Sequence, residues 1–447
     1  MKRLEKNISL TSGGVAAGII AFAIPIIFSN FLQQLYNTAD LMIVGKFAGK
    51  NPMAAVGATG NIASLLIGLF MGLTTGASVI VAQVYAAEDR ENLKKSVHTS
   101  YAIAIVGGVL LSIIGYIFSP NLLEMMDTPK EIMVEATGYM RIFFLGVTPL
   151  LIYNMGAGIL RAVGDSRRPF NFLCVSALVN IILDLILVGY FKKSAIGAGW
   201  ATFWSQVAAA VLVTYNLVKS DRTFRLRIKK IKFHKDMLNL IFKIGIPTGI
   251  QTSVIALSNV LIQVKINGFG SEAIAGIAAE SKIDGFIFVA LQAIALAATT
   301  FAGQNYGAKK YDRIKEGVKV SMQMVLGLAI VLSVLGYIFA NQLIAIFNPD
   351  PDVVRYGALS FRILATGYWI FGASEVLGAF IRGAGKAVPP MVISVFTMCV
   401  LRIIWVFTAT NVWPSIATIF ISYPLSYFAT FILTYLYYKF GNWRMEK

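Results

Sequence analysis

Twelve long apolar runs alternate with short polar connections along this chain. A helix that crosses a bilayer needs about 20 apolar residues. The runs fall at approximately 14–44, 53–83, 97–119, 131–160, 170–191, 197–218, 239–266, 273–304, 316–340, 352–381, 389–410 and 415–438. Turn and breaker residues separate several of them, at Gly49-Lys-Asn-Pro52, Ser119-Pro120, Pro129, Asn348-Pro-Asp-Pro351 and Trp413-Pro414. The pattern predicts an all-α integral membrane protein with twelve transmembrane helices.

The polar positions inside these runs carry the candidate chemistry. In the first run Gln33, Asn37 and Asp40 fall on one helical stripe. A carboxylate in hydrocarbon is costly, so Asp40 is expected to face a cavity or a partner. Pro25, about four turns earlier, cannot complete the hydrogen-bond ladder and predicts a bend. The fifth run places Asn180 and Asp184 four residues apart on one face, and the sixth offers the hydroxyl of Thr202 after Gly197-Ala-Gly199. Two carboxylates with an amide and a hydroxyl can hold a proton or a hard cation such as Na⁺ through oxygen ligands, at Asp40, Asn180, Asp184 and Thr202. The plainer alternatives are that Asn180 makes an interhelical hydrogen bond and that Thr202 bonds its own backbone. In the second half the intramembrane acids are Glu280, Asp284 and Glu375. With Gln34 and Asn37, they are the candidates for drawing in an organic cation.

The second half repeats the first. One constant spacing pairs Gln83 and Tyr85 with Gln304 and Tyr306, and Gly115-Tyr-Ile-Phe118 with Gly336-Tyr-Ile-Phe339. It also pairs Arg141 with Arg362, Gly146 with Gly367, Arg161 with Arg382, Gly164 with Gly385 and Pro169 with Pro390. Pro25 and Pro247 continue the match after a one-residue slip. Each half holds six spans, an even number, so both enter the membrane in the same sense and are expected to form two lobes about an axis along the membrane normal. The expected division is an N-lobe over 1–218, a basic cytoplasmic linker over 219–238 and a C-lobe over 239–447. The acids are not repeated: Glu280 matches Thr59, Glu375 matches Asn154, and Asp40 matches Ile262.

Charge changes the picture only in its placement. A net charge of +17 would suit a nucleic-acid binder. However, 57% of the residues are hydrophobic and 14% charged, against about 25% charged in soluble domains. Lys and Arg concentrate in alternate connections, which puts both termini in the cytoplasm and explains the basic excess without nucleic acid. The densest stretch, Arg222 to Lys235, suits the headgroup layer of an anionic leaflet. Cys174 and Cys399 sit in apolar runs and give no disulfide framework. His98 and His234 have no metal-ligand neighbours at useful spacing, and the N-terminus lacks a cleavage site for a signal peptide. Phosphate-binding loops, zinc-protease signatures and nucleophile elbows are missing, so the chain reads as no enzyme, without a cofactor, driven by an ion gradient.

Gln83-x-Tyr85, Gln304-Asn-Tyr306-Gly-Ala, Leu160-Arg-Ala-Val-Gly-Asp165 and Ile381-Arg-Gly-Ala-Gly-Lys386, in register over the whole length, resemble the multidrug and toxic compound extrusion (MATE) transporters. The resemblance implies a V-shaped two-lobe bundle that exports cationic amphipathic drugs against Na⁺ or H⁺ entry. In the branch resembling DNA-damage-inducible protein F it implies an N-lobe cation site at Asp40, Tyr139, Asn180, Asp184 and Thr202, with Pro25 as the bending point of the first helix. Other branches place an acid in span seven; here the stretch from Gln251 to Asn259 has none.

These readings converge on a secondary active multidrug antiporter in the cytoplasmic membrane. It is expected to be a monomer with organic cations and the lipid bilayer as its partners. A lipid-linked oligosaccharide flippase of the same superfamily is the first rival, and a membrane-embedded enzyme or receptor the second.

Overall fold

A computed structural model of the protein describes residues 10–125, 128–220 and 223–443. Lys2, Arg3, Lys6, Arg222, Arg444 and Lys447, which contribute to the charge pattern, lie outside the described residues. Among the described residues every regular element is helical. The first half holds α1 (Val15–Phe47), α2 (Lys50–Ala86), α3 (Arg90–Glu124), α4 (Lys130–Leu145), α5 (Val147–Ala162), α6 (Arg167–Asp184) and α7 (Ser194–Lys219). The second holds α8 (Lys235–Asn267), α9 (Ser271–Gly307), α10 (Tyr311–Ile338), α11 (Ala340–Ala345), α12 (Pro351–Ala365), α13 (Tyr368–Gly383), α14 (Val388–Ser394), α15 (Arg402–Val412) and α16 (Ile416–Phe440). Wider π-helical turns continue α6 over Leu185–Tyr190 and join α14 to α15 over Val395–Leu401. Among the described residues eleven spans are long and apolar enough to cross a membrane, and the pair α12–α13, bent by 47°, makes a twelfth when taken as one span.

Local chemistry sets the ends of these helices. Asp89 caps α3: its carboxylate accepts the Asn92 N–H at 3.0 Å and the Asn92 side-chain amide at 2.7 Å. Those bonds favour the charged form and hold the Asp89 carboxyl below the usual carboxylate range. A depressed carboxyl stabilises the fold above its unfolded-state pKa and loses that contribution as pH falls through its folded value. Asp89→Ala is therefore expected to lower the thermal midpoint at neutral pH and to match the parent at strongly acid pH, read by parallel melts. Asp350 caps α12 in the same way through the N–H groups of Asp352 and Val353, with Pro351 at the first helical position. The break between α4 and α5 and the bend between α12 and α13 fall at the repeated glycines, Gly146 and Gly367.

The backbone carries the repeat in register. Left-handed residues recur as Gly49 and Gly270, at φ 95° and 96°, as Gly164 and Gly385, at 88° and 89°, and as Glu88 and Lys309, both at 57°. The turn after α2, closed by the Ala87 N–H on the Gln83 carbonyl, recurs after α9 between Ala308 and Gln304. The repeated glutamines thus sit where a helix must end and reverse.

The chain packs as two compact units. Of the described residues, one unit comprises those within 24–249, the other 10–23 and 250–443. Both boundaries inside helices fall beside a proline: α1 divides just before Pro25 and α8 just after Pro247. Helix α1 stays continuous through Pro25, whose carbonyl accepts the Ser29 hydroxyl at 2.7 Å. The linker after α7 groups with the first unit.

Glycines permit the closest approach inside that unit. A Cβ on Gly72 of α2 would lie 2.2 Å from the Gly249 backbone nitrogen of α8, and one on Gly76 would lie 2.5 Å from the Ile241 carbonyl oxygen. Gly72 and Gly76, facing Gly245 and Gly249, form small-xxx-small pairs that bring two helices to backbone contact, as membrane packing favours. In the second unit Gly276 of α9 meets Gly357 of α12 in the same manner.

Candidate functional site

In the first unit, α1 presents Tyr36, Asp40 and Val44, one turn apart, as its buried face. Asn37 is exposed and Gln34 half-exposed, so neither shares the burial of Asp40. Asp40 meets Asp184, the last residue of α6, carboxyl to carboxyl. Asp184 and Asn180 are completely buried. Tyr139 of α4 packs beside both acids and stacks on Phe143, ring centroids 6.5 Å apart. Val44, Val188, Ala195 and Ala198 close the apolar wall around Tyr139.

Helix α7 forms the remaining side. A Cβ on Gly199 would touch the Tyr139 ring at 3.4 Å, and Gln206 bonds Tyr36. Thr202 lies between these two residues on the same face. The structure thus brings Asp40, Tyr139 and Asp184 together, with Asn180 buried one turn before Asp184 on α6 and Thr202 on the helix face that borders Tyr139.

The polar balance at this cluster is incomplete. Asp40 Oδ1, both carboxylate oxygens of Asp184, and both side-chain atoms of Asn180 are buried without a protein partner. Buried polar atoms are ordinarily paired, and two facing carboxylates cannot both carry an uncompensated charge. No Lys or Arg pairs with either acid among the described residues. A proton or a small cation meets that need with the oxygen ligands present.

The second unit gathers a different set. Tyr368 of α13 donates to Asp284 of α9 at 2.5 Å. Glu280, one turn earlier and buried, accepts from Ser281 at 3.5 Å through Oε2 while Oε1 has no partner. Glu375 takes no part in this pair. It is joined to Arg382 at 3.2 Å, a mostly buried ion pair that neutralises both groups. Arg402 of α15 is buried, bonded to the Ser426 hydroxyl at 3.1 and 2.7 Å and lying 4.0 Å from the Tyr423 ring centroid.

Sequence reasoning missed Arg402, Tyr36 and Gln206. Tyr36 was readable, since Tyr36–Asp40–Val44 is an i, i+4, i+8 row like the one that drew attention to Gln33. Which row turns inward depends on packing partners that periodicity does not supply. Arg402 stands beside Trp405 in an apolar run, where a single cation signals burial without naming its neighbours.

Comparison with known proteins fits both the repeat and the fold. The family model described as MatE matches the chain twice, over residues 25–186 and 247–408. The chain is 28% identical to the probable multidrug resistance protein YoeA of Bacillus subtilis, over 94% of this chain and 92% of that protein. It is 22% identical to the multidrug export protein MepA of Staphylococcus aureus, over 83% and 82% of the two chains. A crystal structure of MATE in the bent conformation superposes with a TM-score of 0.90 over 97% of each chain, at 21% identity.

Proposed function

The chain belongs to the MatE family and is a multi-pass membrane transporter, and on that premise we propose that it exports cationic amphipathic compounds in exchange for Na⁺ or H⁺. The observation that carries the exchange is the buried pair Asp40 and Asp184, orphaned beside an equally orphaned Asn180. Relatives described as multidrug resistance and multidrug export proteins support the choice of cargo.

In this cycle Asp40 and Asp184 take a proton or a sodium ion from outside. Asn180 and Thr202 contribute oxygen ligands, and Tyr139 shuts the site from lipid. Filling the site cancels the charge held in the lobe and favours release of the cargo outward. Loading cargo from the cytoplasm reverses the sequence and returns the ion inward. Pro25, at the boundary inside α1, is the point at which that helix accommodates the change. Glu280 and Asp284 attract the organic cation. Glu375 is assigned to Arg382 and to the integrity of α13. The protein works as a monomer in the cytoplasmic membrane with both termini inside.

The deciding experiment is efflux of a fluorescent cationic dye from proteoliposomes, first under an imposed Na⁺ gradient and then under an imposed pH gradient. Acceleration by one gradient alone names the coupling ion. Dye movement that ignores both gradients overturns antiport.

A further inference from the structure

The chain contains two histidines, His98 and His234, and both hold down the linker between α7 and α8. His98 sits near the start of α3, with Nδ1 2.6 Å from the Lys94 carbonyl oxygen. That contact requires the proton on Nδ1, which leaves Nε2 to accept the Arg227 backbone N–H at 3.1 Å. The next residue, Thr99, accepts the His234 backbone N–H through Oγ1 at 3.1 Å and meets His234 Nδ1 at 3.2 Å. Burial, with the Lys232 charge adding to it, holds the His234 imidazole below the ordinary histidine range, which suits an accepting nitrogen.

Between and before these pins the segment is laid out as an extended stretch. Phe224 and Leu226 turn inward and are buried, Phe224 with its ring against Tyr85 and Leu226 with its N–H on the Leu217 carbonyl. Arg225 and Arg227 alternate with them and are exposed. A single 3₁₀ turn, Ile228–Lys230, then lifts Lys229 and Lys230 outward. Lys232 is exposed as well, and none of the three lysines takes part in an ion pair among the described residues. Ile228 and Phe233 are exposed apolar side chains on the same stretch, 62% and 45% accessible. From Thr223 to Lys235 the sequence holds no acidic residue.

We propose that this linker is a preformed binding surface for anionic phospholipid headgroups, fixed on the start of α3 by the two histidines. Three observations argue for lipid over a soluble polyanion. The segment joins two spanning helices and so lies at headgroup depth. Its exposed apolar residues suit the acyl boundary, where a nucleic acid would gain nothing from them. The basic side chains carry no base-stacking aromatics other than Phe233 at the end. Fixing the backbone beforehand removes the ordering cost that a loose basic tether would meet on contact.

The test is amide hydrogen exchange of the full chain in nanodiscs of phosphatidylcholine, with and without phosphatidylglycerol. Phosphatidylglycerol is expected to slow exchange over residues 225–233, by about fivefold for each basic residue engaged. High salt should cancel the slowing, as should Lys229→Gln combined with Lys230→Gln and Lys232→Gln. The exchange pattern of the spanning helices in the same spectra reports whether that variant is folded. His98→Ala keeps every linker charge; faster linker exchange in phosphatidylcholine and a smaller phosphatidylglycerol effect are expected. Equal rates in the two lipids overturn the proposal, and so does a triple variant that keeps the lipid effect. Equal slowing by inorganic phosphate or a short RNA in phosphatidylcholine discs assigns the surface to soluble anions and overturns it too. A His98→Ala protein with an undiminished lipid effect removes the histidine platform.

Discussion

Asp184→Asn is expected to abolish gradient-driven dye efflux while leaving a protein that is folded and at least as stable as the parent. The two effects have one origin. Asp184 is completely buried, both its oxygens lack protein partners, and it faces a second carboxyl on Asp40. Asparagine keeps the shape of the side chain and one oxygen but cannot carry the charge that holds a cation or the proton that is exchanged. Removing one partner from a desolvated charged pair costs roughly 2–5 kcal/mol. In affinity for the coupling ion that is a factor of roughly 30 to several thousand.

Stability runs the other way. A second acid facing Asp40 in an apolar wall of Tyr139, Val44 and Val188 is a burden on the fold until an ion or proton arrives. Neutralising it relieves that burden. Were Asp184 a packing group, the variant would lose stability and keep its coupling. Adding Na⁺ separates the coupling ions: a bound ion raises the parent's thermal midpoint by mass action, and the Asp184→Asn and Asp40→Asn proteins should lose that response. A variant that still effluxes dye against an imposed gradient sinks the assignment of the site.

How far the sequence carried this reading depends on which forces acted. Spans were legible because hydrocarbon imposes length and composition on every crossing helix. The repeat was legible in part because Gly164 and Gly385 occupy left-handed positions that favour glycine. The acids stood out because a charge in an apolar run needs a reason. Side-chain partnerships were less visible. Glu375 looked like a free intramembrane acid, but Arg382, two turns further along α13, lies beside it. Asn37 shared a helical stripe with Asp40 in the sequence, yet Tyr36 took the inward position, where its hydroxyl meets Gln33 and Gln206. The histidines looked idle by the test of metal spacing; His98 accepts the backbone N–H of Arg227 and His234 pairs with Thr99, contacts across more than a hundred residues that leave no periodic trace.

Gly72→Leu is expected to leave almost no folded protein, and Gly72→Ala to be severely destabilised. The position is in α2 where it crosses α8. A Cβ there would stand 2.2 Å from the Gly249 nitrogen, 2.4 Å from its Cα and 2.5 Å from the Gly245 carbonyl oxygen. All three are backbone atoms, so no rotamer change relieves the contact and the helices must move apart. Inserting extra carbons into a tight core typically costs 1–3 kcal/mol, and more where nothing can yield, against a stability of about 5–15 kcal/mol for a folded domain. Separation also opens the neighbouring contacts of Gly76 with Ile241 and Gly245, so the loss extends along the crossing. Gly327→Ala is the matched control: a Cβ at Gly327 of α10 meets nothing within 4 Å, and helix propensity favours alanine there. Size-exclusion profiles and melts of the three variants in detergent decide the point. A Gly72→Ala protein as stable as Gly327→Ala would mean that α2 and α8 do not meet at backbone contact, and the small-residue crossing would have to be abandoned.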